Sequence, residues 1–129
     1  MKWATLVLAF CIAGCGGGSS APATARGRVL FQGRPLAGGT VVFTPHPERG
    51  TPGKPAVASI DHQGTFRLNI EGSPYLAAGW YRVALADPGT PQTWAVFPAA
   101  LRRPDRSGLE REVIAGQDNV FEFHVETQP

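Results

Sequence analysis

The sequence predicts an all-β protein built as a single two-sheet sandwich, and three observations carry this prediction. Glycine and proline are frequent, at 16 and 12 of 129 residues, and both are poor in helix interiors and common in turns. Several short segments alternate apolar and polar residues with a period of two, as half-buried strands do. No segment shows the period of an amphipathic helix. Short strands separated by turn residues are typical of a sandwich or barrel.

The first half of the chain contains three predicted strands. Residues 28–31 and 40–44 are rich in β-branched and aromatic side chains, and the turn residues of segment 32–35 follow the first of them. Several prolines and glycines in residues 46–55 predict a loop, and a weaker strand follows at 55–60. The loop is either a recognition segment or a plain connection.

The clearest alternation comes next, at Phe66, Leu68 and Ile70, which share one face of an extended strand. Turn residues at 61–64 precede it, so we expect this strand to form a hairpin with residues 55–60. Three further strands are predicted at residues 79–85, 109–114 and 120–126.

The inward positions of these strands predict one hydrophobic core, whose burial is the main stabilising contribution. Replacement of Phe66 or Phe123 by aspartate is therefore expected to be among the most damaging changes. Glycines 33, 64 and 116 lie in tight connections where a positive φ is expected. The predicted core consists of Val29, Phe31, Leu36, Val41, Phe43, Ile60, Phe66, Leu68, Tyr81, Val83, Leu85, Leu109, Val113, Phe121, Phe123 and Val125.

The N-terminal residues have the pattern of a targeting signal. Lys2 precedes an uncharged, mostly apolar run at residues 3–13 that ends in small side chains, which is typical of a signal peptide. A membrane-spanning helix needs about 20 apolar residues, so this run is too short to be a permanent anchor. We expect residues 1–14 to be a signal peptide that is removed.

The end of this run, Ile12-Ala13-Gly14-Cys15, resembles the bacterial lipobox. The resemblance implies that the lipoprotein signal peptidase recognises Ile12, Ala13 and Gly14 and cleaves before Cys15. It also implies that the Cys15 thiol carries a diacylglyceryl group. We therefore predict that the protein binds the membrane through this covalent lipid. The alternative is ordinary secretion with cleavage near residues 21–23.

Residues 15–24 are predicted to be the lipidated cysteine and a flexible tether, since they are mostly Gly, Ser, Ala and Thr. Such a tether reaches about 15–18 Å, which holds the following domain close to the membrane. Residues 25–129 form the predicted sandwich domain. Gly16 follows the lipidated cysteine, and the sorting rule of some two-membrane bacteria then favours the outer over the inner membrane. The expected location is extracytoplasmic.

Turn and core residues along the strands carry a second resemblance. They are Gly27-x-Val29, Gly33-x-Pro35-Leu36, Val41-x-Phe43-x-Pro45, Asp61-x-x-Gly64-x-Phe66, Gly79-x-Tyr81-x-Val83, Gly116-x-x-Asn119 and Phe121-x-Phe123. Together they resemble a carboxypeptidase regulatory-like domain, as found in a group of short bacterial lipoproteins. This implies a seven-stranded Greek-key sandwich of the transthyretin (prealbumin) type. The Lys-Tyr pair frequent in that group after a proline is replaced here by Ala100-Leu101.

The sequence contains no recognisable catalytic or metal-binding pattern. His46, His62 and His124 are not spaced as metal ligands, and no serine has a Gly-x-Ser-x-Gly setting. By alternation His124 faces away from the core, and His62 lies in a turn, so we expect both in solvent. The net charge of +2 is too small to indicate nucleic-acid binding. We predict no catalytic residue, no cofactor, no metal and no nucleic-acid partner.

One surface segment is a candidate for partner binding. Arg102, Arg103 and Arg106 lie together in a long connection, and Trp80 and Trp94 fall on outward or loop positions. Guanidinium groups beside aromatic rings fit anionic glycans or a protein partner, so we predict a binding surface made of Arg102, Arg103, Arg106 and Trp94. Acidic neighbours also fit a solvated loop whose charges pair with one another.

These observations favour a non-catalytic, lipid-anchored protein of the cell envelope that acts as an adhesion, scaffold or interaction module. One alternative is a carbohydrate-binding sandwich in which Trp80, Tyr81 and Trp94 stack on sugar rings. Another is an enzyme with a dispersed active site. A concave pocket that joins His46 or His62 to an arginine and a carboxylate would favour the enzyme.

Overall fold

The computed structural model describes residues 21–86 and 97–126, and within them the chain folds into strands joined by turns and two short 3-10 helices. The helices are Pro47–Arg49 and Ala99–Arg102. The strands are β1 (Thr24–Phe31), β2 (Arg34–Pro35), β3 (Thr40–Pro45), β4 (Ala56–Ser59), β5 (Thr65–Arg67), β6 (Gly79–Ala86), β7 (Glu110–Val113) and β8 (Asp118–Val125).

The strands form two sheets of four strands each. In the first sheet β1 is central: β8 runs parallel along one edge of it, and β2 and β5 pair antiparallel with its other edge. The second sheet is antiparallel with the order β4-β3-β6-β7. The predicted all-β, two-sheet sandwich is confirmed. The described residues contain eight strands, counting the two-residue β2, where seven were expected.

The core lies between the sheets because alternate side chains of each strand point inward. Every predicted core residue is buried there, except Phe31, Leu109 and Phe121, which are half-buried and pack against it. Phe43 lies at the centre, and its ring centroid is 5.5 Å from that of Phe121 and 6.1 Å from that of Phe123. Aromatic rings at such distances add to the stabilisation that comes from their buried area.

Small and loop residues add to this core in a way that alternation did not predict. Ala23, Ala25, Ala56 and Ala58 bring the strands close together, because their short side chains occupy inward positions. Other residues reach the core from the connections between strands. They are Leu76, Phe97 and Leu101.

The predicted hairpin between residues 55–60 and the strand after them is wrong. β4 pairs with β3, whereas β5 pairs with β1 in the other sheet. The turn itself forms: the Asp61 carboxylate accepts hydrogen bonds from the backbone N–H groups of Gln63 and Thr65 and from the Thr65 hydroxyl. The only pairing between the two segments in the described residues is an isolated bridge of Val57 with Asn69, so this turn carries the chain from one layer to the other.

Gly64 shows why this crossing is tight. Its φ is 77°, in the region that favours glycine, as predicted, and a Cβ there would lie 2.7 Å from the Val29 carbonyl oxygen. The Gly64 carbonyl in turn accepts a hydrogen bond from the Val29 N–H. Gly33 and Gly116 also have the positive φ expected of them.

The outer face of the first sheet carries cross-strand ion pairs. Arg26 Nε lies 2.7 Å from Asp118 Oδ2, and Arg28 Nη2 lies 3.0 Å from Glu122 Oε2. Hydrogen bonds from Arg26 and then Thr24 hold the pKa of Asp118 below its usual value, and a hydrogen bond from Arg28 is the main cause that lowers the pKa of Glu122. These groups are exposed, so each pair adds little to stability.

Phe123→Ala is predicted to destabilise the fold strongly. The Phe123 ring is fully buried and packs between the rings of Phe43 and Phe66, so its loss leaves a cavity, at a cost of about 3–5 kcal/mol. Val120 on the same strand is 61% exposed, and Val120→Ala should change the free energy of unfolding by less than about 0.5 kcal/mol. Urea denaturation of both variants tests this, and equal midpoints for the two would contradict the assigned faces of β8.

Candidate functional site

The residues predicted to carry the lipid anchor lie outside the described part of the chain. These are Ile12, Ala13, Gly14 and Cys15, and Trp94 of the predicted partner surface is likewise outside it. Within residues 21–86 and 97–126, no helix is long and apolar enough to cross a membrane.

The three arginines of the predicted partner surface have different environments. Arg102 is half-buried at the end of its 3-10 helix, where the preceding Leu101 packs in the core. Arg103 is exposed and lies 3.5 Å from the Asp105 carboxylate, an ion pair within the same turn. Arg106 is exposed. The interpretation of a loop whose charges pair with one another therefore fits Arg103. Arg106 instead lines a cavity on this surface.

The cavity beside Arg106 is shallow and has a volume of about 240 Å³. Leu101 and Leu109 line it with apolar surface. His124 of β8 and Glu126, just after that strand, contribute polar groups. The connection and the last strand thus form one small depression. We call it the Arg106 cavity.

His46 lies in a second polar cluster, and its environment was not predicted. His46 is only 4% exposed, and its ring is hydrogen bonded to Glu48 in the loop after β3 and to Glu110 at the start of β7. Its Nδ1 accepts a hydrogen bond from the Glu48 N–H, so this nitrogen carries no proton. Nε2 is then the donor to Glu110 Oε1, at 2.9 Å. Both ring nitrogens are engaged in bonds that hold the loop against the sheet.

Arg49 and Trp80 extend this cluster. Arg49 Nη2 lies 3.8 Å from the second carboxylate oxygen of Glu110, and the guanidinium carbon stands 4.3 Å from the centroid of the Trp80 ring. A cation over an indole ring is a favourable contact. We call His46, Arg49, Trp80 and Glu110 the His46 cluster.

The aromatic residues of the glycan alternative are mostly engaged in the fold. Arg49 covers one face of the Trp80 ring, and Trp80 itself is half-buried. Tyr81 is fully buried, its hydroxyl donates to the Ala77 carbonyl, and burial raises the pKa of this hydroxyl. The interpretation of Tyr81 as a sugar-stacking residue is therefore wrong.

The other two histidines lie at the surface, as predicted. His62 is exposed in the turn before β5, and His124 is exposed on β8 with Nε2 2.7 Å from Glu122 Oε1. No group of three or more His, Cys, Asp and Glu side chains in residues 21–86 and 97–126 is arranged to hold a metal ion.

Sequence reasoning missed the His46 cluster because its members come from distant parts of the chain. His46 and Arg49 follow β3, Trp80 lies on β6, and Glu110 begins β7. Alternation along β3 places Val41 and Phe43 inward, and it indicates nothing about a residue just beyond the end of the strand. A histidine between two prolines was the only local signal.

Comparison with known proteins adds no family to these observations. No family model matches the chain, no curated protein matches it, and no solved structure matches its fold. The resemblance to the carboxypeptidase regulatory-like domain stays a prediction.

His46→Ala is predicted to lower stability. The change leaves the Glu48 N–H and one Glu110 oxygen without the imidazole, at a cost of about 1–3 kcal/mol in the free energy of unfolding. His124→Ala is the matched control, because that side chain is 63% exposed and its loss should cost less than about 1 kcal/mol. Thermal unfolding at neutral pH measures both, and a control that destabilises as much as His46→Ala would contradict the role of the His46 cluster.

Proposed function

We propose that this chain is a lipid-anchored, non-catalytic interaction module of the bacterial cell envelope. The observation that carries the proposal is the place where the predicted tether meets the fold. Ala23 already forms a bridge with Leu76, and Thr24 begins β1, the central strand of the first sheet. A lipid on Cys15 would therefore connect through a few small residues to the best-paired strand of the domain.

The fold type belongs to the same proposal. The resemblance to carboxypeptidase regulatory-like domains implies seven strands in a Greek-key arrangement of the transthyretin type. Seven of the strands in the described residues are longer than two residues, which is consistent with that arrangement if β2 is taken as part of a turn.

The bonding of the polar side chains favours binding over catalysis. A general base needs a nitrogen or oxygen that can reach a substrate, and both ring nitrogens of His46 are already hydrogen bonded inside the fold. Asp61 likewise uses its carboxylate to hold the turn before β5. These groups have structural roles that account for their positions.

The Arg106 cavity is the proposed contact surface, and a protein is the favoured partner. It combines an exposed guanidinium with apolar side chains, which is the composition of small binding hot spots between proteins. The glycan alternative is weaker, because Tyr81 is buried and Trp80 is covered on one face by Arg49.

Cys15→Ala is predicted to release the protein from membranes. In the proposed lipoprotein, the acyl chains on this thiol supply the affinity for the bilayer. Detergent-phase partitioning of membrane extracts should place the unaltered protein in the detergent phase and Cys15→Ala in the aqueous phase. Cys11→Ala is the matched control, since Cys11 lies within the predicted signal peptide and should partition as the unaltered protein does. The same aqueous fraction for all three proteins would refute the anchor.

A photo-crosslinking residue in place of Arg106 should trap the partner in living cells. We expect discrete adducts on gels, identified by mass spectrometry, that excess protein without the crosslinker displaces. The same residue in place of Arg34, which is exposed on β2 and does not line the Arg106 cavity, is the control. Identical adducts from the two positions would contradict a specific contact at this cavity. So would adducts that persist in the presence of excess protein without the crosslinker.

A further inference from the structure

A third surface feature is a groove that shares no lining residue with the Arg106 cavity and contains no member of the His46 cluster. It has a volume of about 560 Å³ and lies against β1 and β5, with Val120 of β8 and Ser59 at the end of β4 also in its lining. Its open side faces solvent, and such a volume is in the range of small-molecule sites. The polar side chains that line it are Arg26, Arg28, Ser59, Asp61, Thr65 and Arg67.

The strand register places two positive charges opposite each other in this groove. Arg26 on β1 pairs directly with Arg67 on β5. Like charges at directly opposed positions destabilise a sheet. Arg26 is compensated by Asp118, but Arg67 has no ion pair or side-chain hydrogen bond with any residue in the described part of the chain. Asp118 binds Thr24 and Arg26 through its two oxygens and interacts with Arg67 electrostatically, without a direct hydrogen bond or ion pair.

The other two guanidinium groups also keep donors for a ligand. Arg26 binds Asp118 through Nε, and Arg28 binds Glu122 through Nη2. A guanidinium has five N–H donors in a planar fork, so most of these donors have no acceptor in the described residues. The ion pairs therefore fix the two side chains in place and leave their outer edges available.

The described residues that line the groove include one carboxylate, that of Asp61, and it does not cancel the excess of positive charge. Asp61 accepts hydrogen bonds from Gln63 and Thr65, and the bonds from Thr65 are the main cause that holds its pKa below the ordinary value. Its oxygens thus point to the turn that they stabilise. Val120 of β8 also lines the groove, and Asp118 and Glu122, two positions to either side of it, are bonded to Arg26 and Arg28. Among the lining residues, three guanidinium groups face one engaged carboxylate.

We propose that this groove binds a phosphate group, with Arg67 as the main ligand residue and Arg26 and Arg28 beside it. Guanidinium and phosphate match in geometry, since parallel N–H donors reach two phosphate oxygens at once. The groove is much larger than a single phosphate ion, so we expect the phosphate to be part of an ester. The hydroxyl of Ser59 also lines the groove and could bind the rest of that molecule. Binding at this site does not depend on the proposed lipid anchor.

The test uses the full chain with Cys15→Ala, which keeps it free of lipid. Glycerol 3-phosphate is titrated in, and backbone amide resonances of residues 26–28 and 65–67 are followed by NMR. We expect saturable shifts at these positions, and Arg67→Gln should weaken the affinity about tenfold or more, since it removes the uncompensated charge. Arg34→Gln, an exposed arginine of the same sheet outside the groove, should titrate as the parent does.

A second measurement separates this role from a structural one. Without phosphate, Arg67→Gln should leave the melting temperature unchanged or raise it, because it relieves the repulsion from Arg26. A lower melting temperature, or equal phosphate affinity of Arg67→Gln and its parent, would overturn the proposal.

Vesicles distinguish the source of the phosphate. The same chain is sedimented with phosphatidylcholine vesicles that either contain or lack phosphatidic acid. Arg67-dependent binding to the phosphatidic acid vesicles alone would assign the site to a lipid headgroup, and Arg67-dependent binding of glycerol 3-phosphate would assign it to a soluble ester. Binding of neither probe would refute the site, whereas the anchor is tested separately by the partitioning of Cys15→Ala.

Discussion

The parallel pairing of the first strand with the last is the contact on which the rest of the structure depends. It runs without interruption from the pair of Thr24 with Asp118 to the pair of Phe31 with Val125. Among the described strands of the first sheet, β2, β5 and β8 each pair with β1, so that sheet forms only when β1 is in place. Gly27 makes this place possible: a Cβ there would lie 2.2 Å from the Phe121 carbonyl oxygen and 2.8 Å from the edge of the Phe66 ring. Only glycine therefore fits where β1 passes the Phe66 ring and the backbone of β8.

Asn119 fixes the register of that pairing. Its buried side-chain amide donates to the carbonyls of Thr24, Ile114 and Gln117, and its oxygen accepts the Ile114 N–H. A slip of one residue would break the bond from Asn119 to Thr24 of β1 and turn every side chain of β1 to the opposite face. The charged outer face and the apolar inner face are therefore set together, by one amide at the start of β8.

The sequence predicted features that depend on neighbouring residues, such as which side chains of a strand face inward. It did not predict features that depend on contacts between distant segments, such as strand pairing. Alternation identified the inward side chains correctly, because the period of two is a property of each strand alone. It gave no information about pairing, so β4 and β5 were placed in one hairpin although they belong to different sheets. The inward positions at the start of β1 are Ala23, Ala25 and Gly27, which carry no hydrophobic pattern, and the strand begins four residues earlier than predicted. The groove arginines are likewise separated in sequence, since Arg67 joins Arg26 only through the pairing of β5 with β1.

Alternate residues of β1 have different roles: one set stabilises the core, and the other lines the groove of the proposed phosphate site. Odd-numbered positions of β1, such as Ala25, Gly27 and Val29, face the core and determine whether the sheets can close. Even-numbered positions, Arg26 and Arg28, face solvent, where ion pairs contribute little to the fold. Because these two side chains contribute little to stability, the fold does not restrict which ligand they bind. The proposed tether at the start of β1 would bring this arginine face close to the membrane if the chain carries the proposed lipid.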